Sequence, residues 1–492
     1  MKKIKTIILS AAAISLMVSC KDYLDINDNP NQALNATPQS ILAGALSTTA
    51  NNIYNTANSY GAWTVGYWGK SGDVNGYAPE RTYNYTTSFY QGLWADIYDN
   101  LNDYKAVENA ANKAGLSNHE AIALIMEAYN FQALIDQYGD VPYNDAFKGA
   151  DVLTPKYDKA EDVYKTLIAN LTKAVDLIKN NPSATVPKTE DIMFYDAGLK
   201  MSDLTKWVKF ANTLKLRMLM RISGVPSLAS FASSEIGKMG SVEGTYLSTD
   251  ALVNPGYIQS ASKQNPFWNR YNQTPTGTTS TEATYVRPTS YAIDQYELNN
   301  DPRIAKFYNK AGNNYVGVVL GGDPLPASGA SSSFGPGIFK GYNASSVIML
   351  AAESNFLQAE AISRGYLTGD AKDKYTKGIQ ASFLYLGLTL ADANGYITAN
   401  AGNPQVDFAA AANPIEIIIY QKYLALNSLE SNEALSEYRR TGFPADVPLS
   451  VDPLRVGSGI PTRLLYPLSE ISTNSANVPK ATQWNKIFWD VN

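Results

Sequence analysis

One histidine and one cysteine bound the chemistry open to this 492-residue chain. A Ser–His–Asp or Cys–His relay would have to recruit His119, which falls at the head of a predicted helix beside Ser117. That position suits a surface or capping side chain in the first turn. Zinc sites need His or Cys clusters, and no such cluster can be built from this composition. Neither a Walker-type phosphate loop nor a strand–GxGxxG–helix pattern occurs. Carboxylate pairs remain. Glu353 and Glu360 share one face of a predicted helix with backbones roughly 10 Å apart, a spacing open to a glycosidase-like pair. The plainer reading pairs them with arginines between packed helices, so no catalytic residue is assigned.

Near the N-terminus, Asp25, Asn27 and Asn29 alternate as the first ligands of a calcium loop do. Such a loop needs Gly at its sixth position and Glu at its twelfth, where this chain has Pro30 and Ala36. A calcium ion held elsewhere by loop carbonyls has no sequence signature, so the metal content stays open and no cofactor is expected.

The positive signal is aromatic. Tyrosine (33) outnumbers phenylalanine (15), and the excess gathers in Gly- and Asn-rich stretches rather than on helix stripes. Tyr and Trp faces pack on the C–H faces of sugar rings at low entropic cost, while Asn, Asp and Arg bond the hydroxyls. Trp63, Tyr67 and Trp68 sit between Gly61, Gly66 and Gly69. Trp268, Asn269, Arg270 and Tyr271 form a second group, with Tyr77 and Tyr285 as further candidates. Each ring also has a structural reading, as a pin holding a long loop to a helical body. At least one is expected to line a ligand site. Trp94 and Tyr98, on a helix stripe, are assigned to the core.

Two helical blocks must position these loops. Trp94, Ile97, Tyr98 and Leu101 recur at helical spacing, as do Ile122, Ile125, Met126, Tyr129 and Ala133 after a capping box of Ser117 and Glu120. Trp207, Ala211, Leu214, Met218 and Ile222 continue the pattern. In the second block Asn413 caps a helix opened by Pro414, with Glu416 placed to reach back. The helical blocks span about 37–58, 91–225 and 345–440, and the loop-rich regions about 59–90, 226–344 and 441–492. The expected fold is mainly α, with little β. Tetratricopeptide-like helical pairs form its scaffold and carry long irregular ligand-binding loops, although no repeat matches that consensus.

The first nineteen residues read as a signal peptide. Lys2, Lys3 and Lys5 precede an apolar run from Ile7 to Val18, too short to span a bilayer, which needs about 20 residues. "LMVSC" then resembles a bacterial lipobox, which makes Cys20 a lipidation site and residues 20–36 a tether to a single domain at 37–492. Several acyl chains on one cysteine would anchor the chain firmly. Beyond residue 19 the chain holds 37 basic and 45 acidic side chains and no basic run, which argues against nucleic acid as a partner.

Seven stretches, in order, resemble the SusD/RagB surface lipoproteins of Bacteroidetes, especially the SusD-like branch. They are "DYLDINDNPN", "ALIDQYGDVPYNDAF", "WVKFANTLKLRMLMRIS", "DPR" at 301–303, "ESNFLQAEAISRG", "YQKYLALN…EALSEYRRTGFP" and "YPLSEISTNSANVP". The resemblance implies a non-enzymatic protein on the outer face of the outer membrane. It would capture oligosaccharides, or sometimes peptides, and cap a SusC-like TonB-dependent barrel. Lys21 and Asp22, after the lipidated cysteine, then look like a surface-export signal. The matching motifs belong to the scaffold, so ligand residues do not transfer.

Overall fold

The computed structural model describes residues 37–492. The signal peptide, Cys20, Lys21, Asp22 and the Asp25 stretch lie outside the described residues. Thr37 caps the first helix, its side chain accepting from the Ser40 amide, and Pro38 supplies a preset first turn. This helix, α1 (Pro38–Asn51), runs through a π-helical turn at Asn52–Ala57 into α2 (Asn58–Thr64). Then come α3 (Gln91–Ala114), α4 (Ser117–Tyr138), α5 (Ala160–Asn180) and α6 (Leu204–Ile222). Gly115, with φ of 68°, ends α3 in the left-handed conformation that allows the tight turn into α4. Helix α1 packs on α3, α3 on α4, α4 on α5 and α5 on α6.

The middle of the chain carries the short helices α7 (Pro266–Tyr271) and α8 (Ser290–Glu297). A second helical set follows: α9 (Ala351–Ser363), α10 (Ala371–Tyr385), α11 (Leu390–Ala399), α12 (Pro414–Leu426) and α13 (Ser431–Thr441). Helix α9 packs on α10 and α12, and α13 returns against α2. The strands, all short, are β1 (Trp68–Lys70), β2 (Tyr195–Asp196), β3 (Met201–Ser202), β4 (Ala251–Val253), β5 (Val286–Pro288), β6 (Tyr308–Asn309), β7 (Ser333–Phe334) and β8 (Ser346–Met349). They pair antiparallel two by two, β1–β5, β2–β3, β4–β8 and β6–β7. The fold is mainly α with little β, as the periodicity predicts. Among the described residues no helix is long and apolar enough to cross a membrane.

Three local expectations are corrected. Ser117 is the first residue of α4 rather than its cap, and Glu120 bonds Asn112 and Lys173 on neighbouring helices instead of closing a capping box. His119 is fully buried, with Nε2 3.1 Å from Glu190, because the 184–190 loop folds over the start of α4. The 226–344 region contains helices, among them Ala229–Gly237, α7 and α8. At nine residues or fewer they are too short to show a period. The Asn413 cap is present, accepting from the Ile415 amide.

At the centre lies a buried ionic network. Arg221 on α6 bonds Asp136 on α4 and Glu433 on α13, the latter at 2.5 Å. Arg217, one turn earlier, holds both oxygens of Glu353 on α9. Lys422 on α12 approaches Glu353 at 3.3 Å and Glu437 at 3.6 Å. Arg440 binds Glu360 through both terminal nitrogens at 2.7 Å and also Glu437. Glu353 and Glu360 are therefore the arginine-paired acids of the plainer sequence reading. Burial, then the Glu353 carboxylate, pushes Glu430 well above the usual carboxylate range, so a proton there relieves the excess of negative charge. Truncating one member strands its partners without solvent. Arg221→Met should lower stability by about 3–5 kcal/mol, read from the urea unfolding midpoint. A loss below about 1 kcal/mol would show that the network relaxes around the gap.

Candidate functional site

The two loop-rich regions meet because β1 pairs with β5, placing Trp68 opposite Pro288 and Lys70 opposite Val286. Beyond the strands the pairing continues through Ser71, whose amide donates to the Tyr285 carbonyl and whose hydroxyl donates to the Thr284 carbonyl. Gly72 donates to Pro326 and the Ser328 amide donates to Asp73. On the scaffold side, α2 meets the start of α13 backbone to backbone. A Cβ at Gly61 would lie 2.4 Å from the Ser431 carbonyl, so only glycine permits this approach. The C-terminal segment braces the 77–90 loop through Arg81–Asp452 at 2.7 Å and through the Ser450 amide, which donates to the Tyr83 hydroxyl.

Several aromatic candidates prove to be pins. Trp68 is fully buried, its indole N–H donating to Ser428 at 2.8 Å and its ring packed against Phe267, Tyr271 and Phe334. Tyr67 is buried against Tyr423, to whose carbonyl its hydroxyl donates. Tyr271 is buried, with its hydroxyl 3.1 Å from Ser59. Trp63 is 2% exposed, stacked under Tyr77 at 4.7 Å and 27°. These four rings present no free face to a ligand, which corrects the expectation built on the glycine spacing for Trp63, Tyr67 and Trp68 and the one built on the second aromatic group for Tyr271. Their burial is fixed by partners two hundred or more residues away for Tyr67, Trp68 and Tyr271.

The other candidates reach the surface. Tyr77 is half-buried at a left-handed backbone position (φ 60°) and donates its hydroxyl to Glu282. Trp268 is partly exposed, edge-on to Phe339, and its buried indole N–H has no partner among the described residues. Asn269 is exposed, Arg270 lies over the Tyr271 ring at 5.3 Å, and Tyr285 is partly exposed. Sequence reasoning missed two acids here. Glu80 and Glu282 flank the Tyr77 hydroxyl side of the cluster and repel one another, with Arg270 as a nearby cation for both. Burial is the largest influence on Glu80; with the added Glu282 charge it pushes this carboxyl up to about 7. Glu282 left a usable signal, being the only acid between Asp250 and Asp294.

The loops bring the Tyr77 ring, the Arg270 guanidinium and the Glu80 and Glu282 carboxylates together, and the Trp268, Asn269 and Tyr285 side chains reach solvent on the same segments. That set suits recognition of hydroxyls and amides by hydrogen bonding under an aromatic platform. Among the described residues no group of three or more His, Cys, Asp or Glu side chains could hold a metal ion.

Two consequences follow for measurement. Trp68→Ala should destabilise the fold by about 3–5 kcal/mol, seen in thermal melting; an unchanged melting temperature would mean the ring is not a pin. Glu80, whose folded pKa is raised, contributes fully below the ordinary glutamate range, and its contribution falls as pH rises through about 7. Relative to Glu80→Gln, the wild-type chain should therefore lose up to about 3 kcal/mol between about pH 4 and about pH 8 in paired urea titrations. Parallel pH profiles would count against it.

Residues 30–467 match the SusD-like family model, described as starch-binding and associating with the outer membrane. No curated protein matches the chain. Among solved structures, a chitin-binding protein is 25% identical, with 93% of this chain and 100% of that one covered at a TM-score of 0.74. A chitin-binding SusD homologue from Flavobacterium johnsoniae is 23% identical, with 92% and 99% covered at 0.71. A SusD-like protein from Bacteroides thetaiotaomicron is 22% identical, with 92% and 99% covered at 0.73.

Proposed function

Because the chain belongs to the SusD-like family, whose members associate with the outer membrane, we propose that it captures a glycan at the cell surface without cleaving it. It then hands the glycan to a SusC-like TonB-dependent barrel. Cys20 carries the lipid anchor on the outer face of the outer membrane, and Lys21 and Asp22 direct surface export. The observation that supports the reading is that two loops, joined by β1–β5, bring Tyr77 and Arg270 to the Glu80–Glu282 pair, with Trp268, Asn269 and Tyr285 reaching solvent on the same loop segments. Glu353 and Glu360, the pair with glycosidase-like spacing, are occupied by Arg217 and Arg440 in the interior, which supports a binding role.

The family description names starch and two relatives are chitin-binding, so malto- and chito-oligosaccharides are the first ligands to test. Calorimetry should detect one of them, and Trp268→Ala should weaken it about tenfold or more, with the melting temperature unchanged. Binding of peptides and of no glycan would make the protein an oligopeptide receptor instead. Affinity for neither, with copurification of the barrel, would make it a gating lid.

A further inference from the structure

A separate cavity of about 420 Å³ lies where the 404–413 loop, the first turn of α12 and the 443–446 turn converge on α8. Its volume falls in the range of small-molecule sites, roughly 300–1,000 Å³. Pro404, Ile417, Tyr420, Phe443 and Pro444 give it apolar walls. Its polar groups are Gln295, Gln405, Asn413, Glu416 and Asp446, and among the described residues no lysine, arginine or histidine lines it. It shares no residue with the loop surface described above.

Gln295 is the informative side chain. It is 4% exposed on α8, yet its amide has no hydrogen-bond partner among the described residues. The one contact to this residue from Tyr420, at 3.2 Å, goes to the backbone carbonyl. The amide is not sealed among the buried unpartnered groups; it borders the cavity and is open to bond whatever enters there. The Asp446 carboxylate, held at one oxygen by the Tyr291 hydroxyl at 2.9 Å, and the exposed Glu416 supply acceptors at the rim.

We propose that this cavity is a second binding site, for a single neutral sugar unit. The tyrosine, phenylalanine and proline walls fit the C–H face of a pyranose ring. The two carboxylates accept from its hydroxyls, and the Gln295 amide both donates and accepts. The absence of a lining cation disfavours uronic acids and other anions. Hydroxyls satisfy Gln295 and the carboxylates together, whereas an amine offers only donors.

Saturation-transfer NMR on the full chain, with free glucose, N-acetylglucosamine, glucosamine and glucuronic acid, tests the assignment. A neutral sugar should bind and outcompete both charged ones. Gln295→Leu should weaken it at least about tenfold, the value of a lost hydrogen bond. Ala412→Trp, which fills the mouth from an exposed position, should do the same without touching the core. Trp268→Ala should leave this signal intact. A signal lost in Trp268→Ala but kept in the two cavity variants would overturn the second site while supporting the loop surface. Preference for glucosamine or glucuronic acid, or no neutral-sugar signal at all, would also overturn it.

Discussion

The buried charges between α4, α6, α9, α12 and α13 are the constraint on which the rest of the molecule depends. Arg217 and Arg221 come from the first helical set, and Glu353, Lys422, Glu433 and Glu437 from the second. More than one hundred residues, holding only short helices and strands, separate the two sets, so register between them cannot be inherited from local geometry. Apolar packing alone would tolerate a sliding or rotated arrangement. A bidentate arginine meeting a buried carboxylate tolerates neither, because a misplaced charge loses its partner in a medium without water. Trp489 joins the same network, donating to Asp136 and lying against the Arg439 guanidinium, so the C-terminus is fixed by it too.

With the scaffold locked in this way, the loops are relieved of structural duty in part only. Their buried rings still hold them down, and the surface-reaching rings lie close to those anchors in sequence or in space. Trp268 is three residues from Tyr271, and Tyr77 rests on Trp63. Anchor and contact residue are thus neighbours on the same short helix or in the same stack. This proximity fixes the exposed faces closely without any regular sheet beneath them.

The scaffold was legible in sequence because helices repeat every 3.6 residues. Trp207, Ala211, Leu214, Met218 and Ile222 form one stripe and are all fully buried. The motifs "ANTLKLRMLMRIS", "ESNFLQAEA" and "EALSEYRR" supply most of the ionic network, which explains how stretches so modest singly resemble one family jointly. The site was legible in composition and illegible in detail. Trp68 lies among glycines and Trp268 among asparagines, both loop-like settings, and distant partners such as Phe334 and Ser428 bury the first. Glu80 shows no local sign of its role, since its altered acidity arises from burial and from Glu282 two hundred residues away. His119 misled for the same reason, covered by a loop that helix periodicity does not describe.

The β1–β5 ladder joins three residues to three others more than two hundred positions along the chain. Closing so wide a loop is entropically expensive, and so short a ladder does little to offset it alone. The helical sets, with contacts between sequence neighbours, can form before it. The proposed loop surface then forms after the helices that carry it. A chain still completing its folding has a body without that surface, so the proposed ligand capture would report on the finished protein alone.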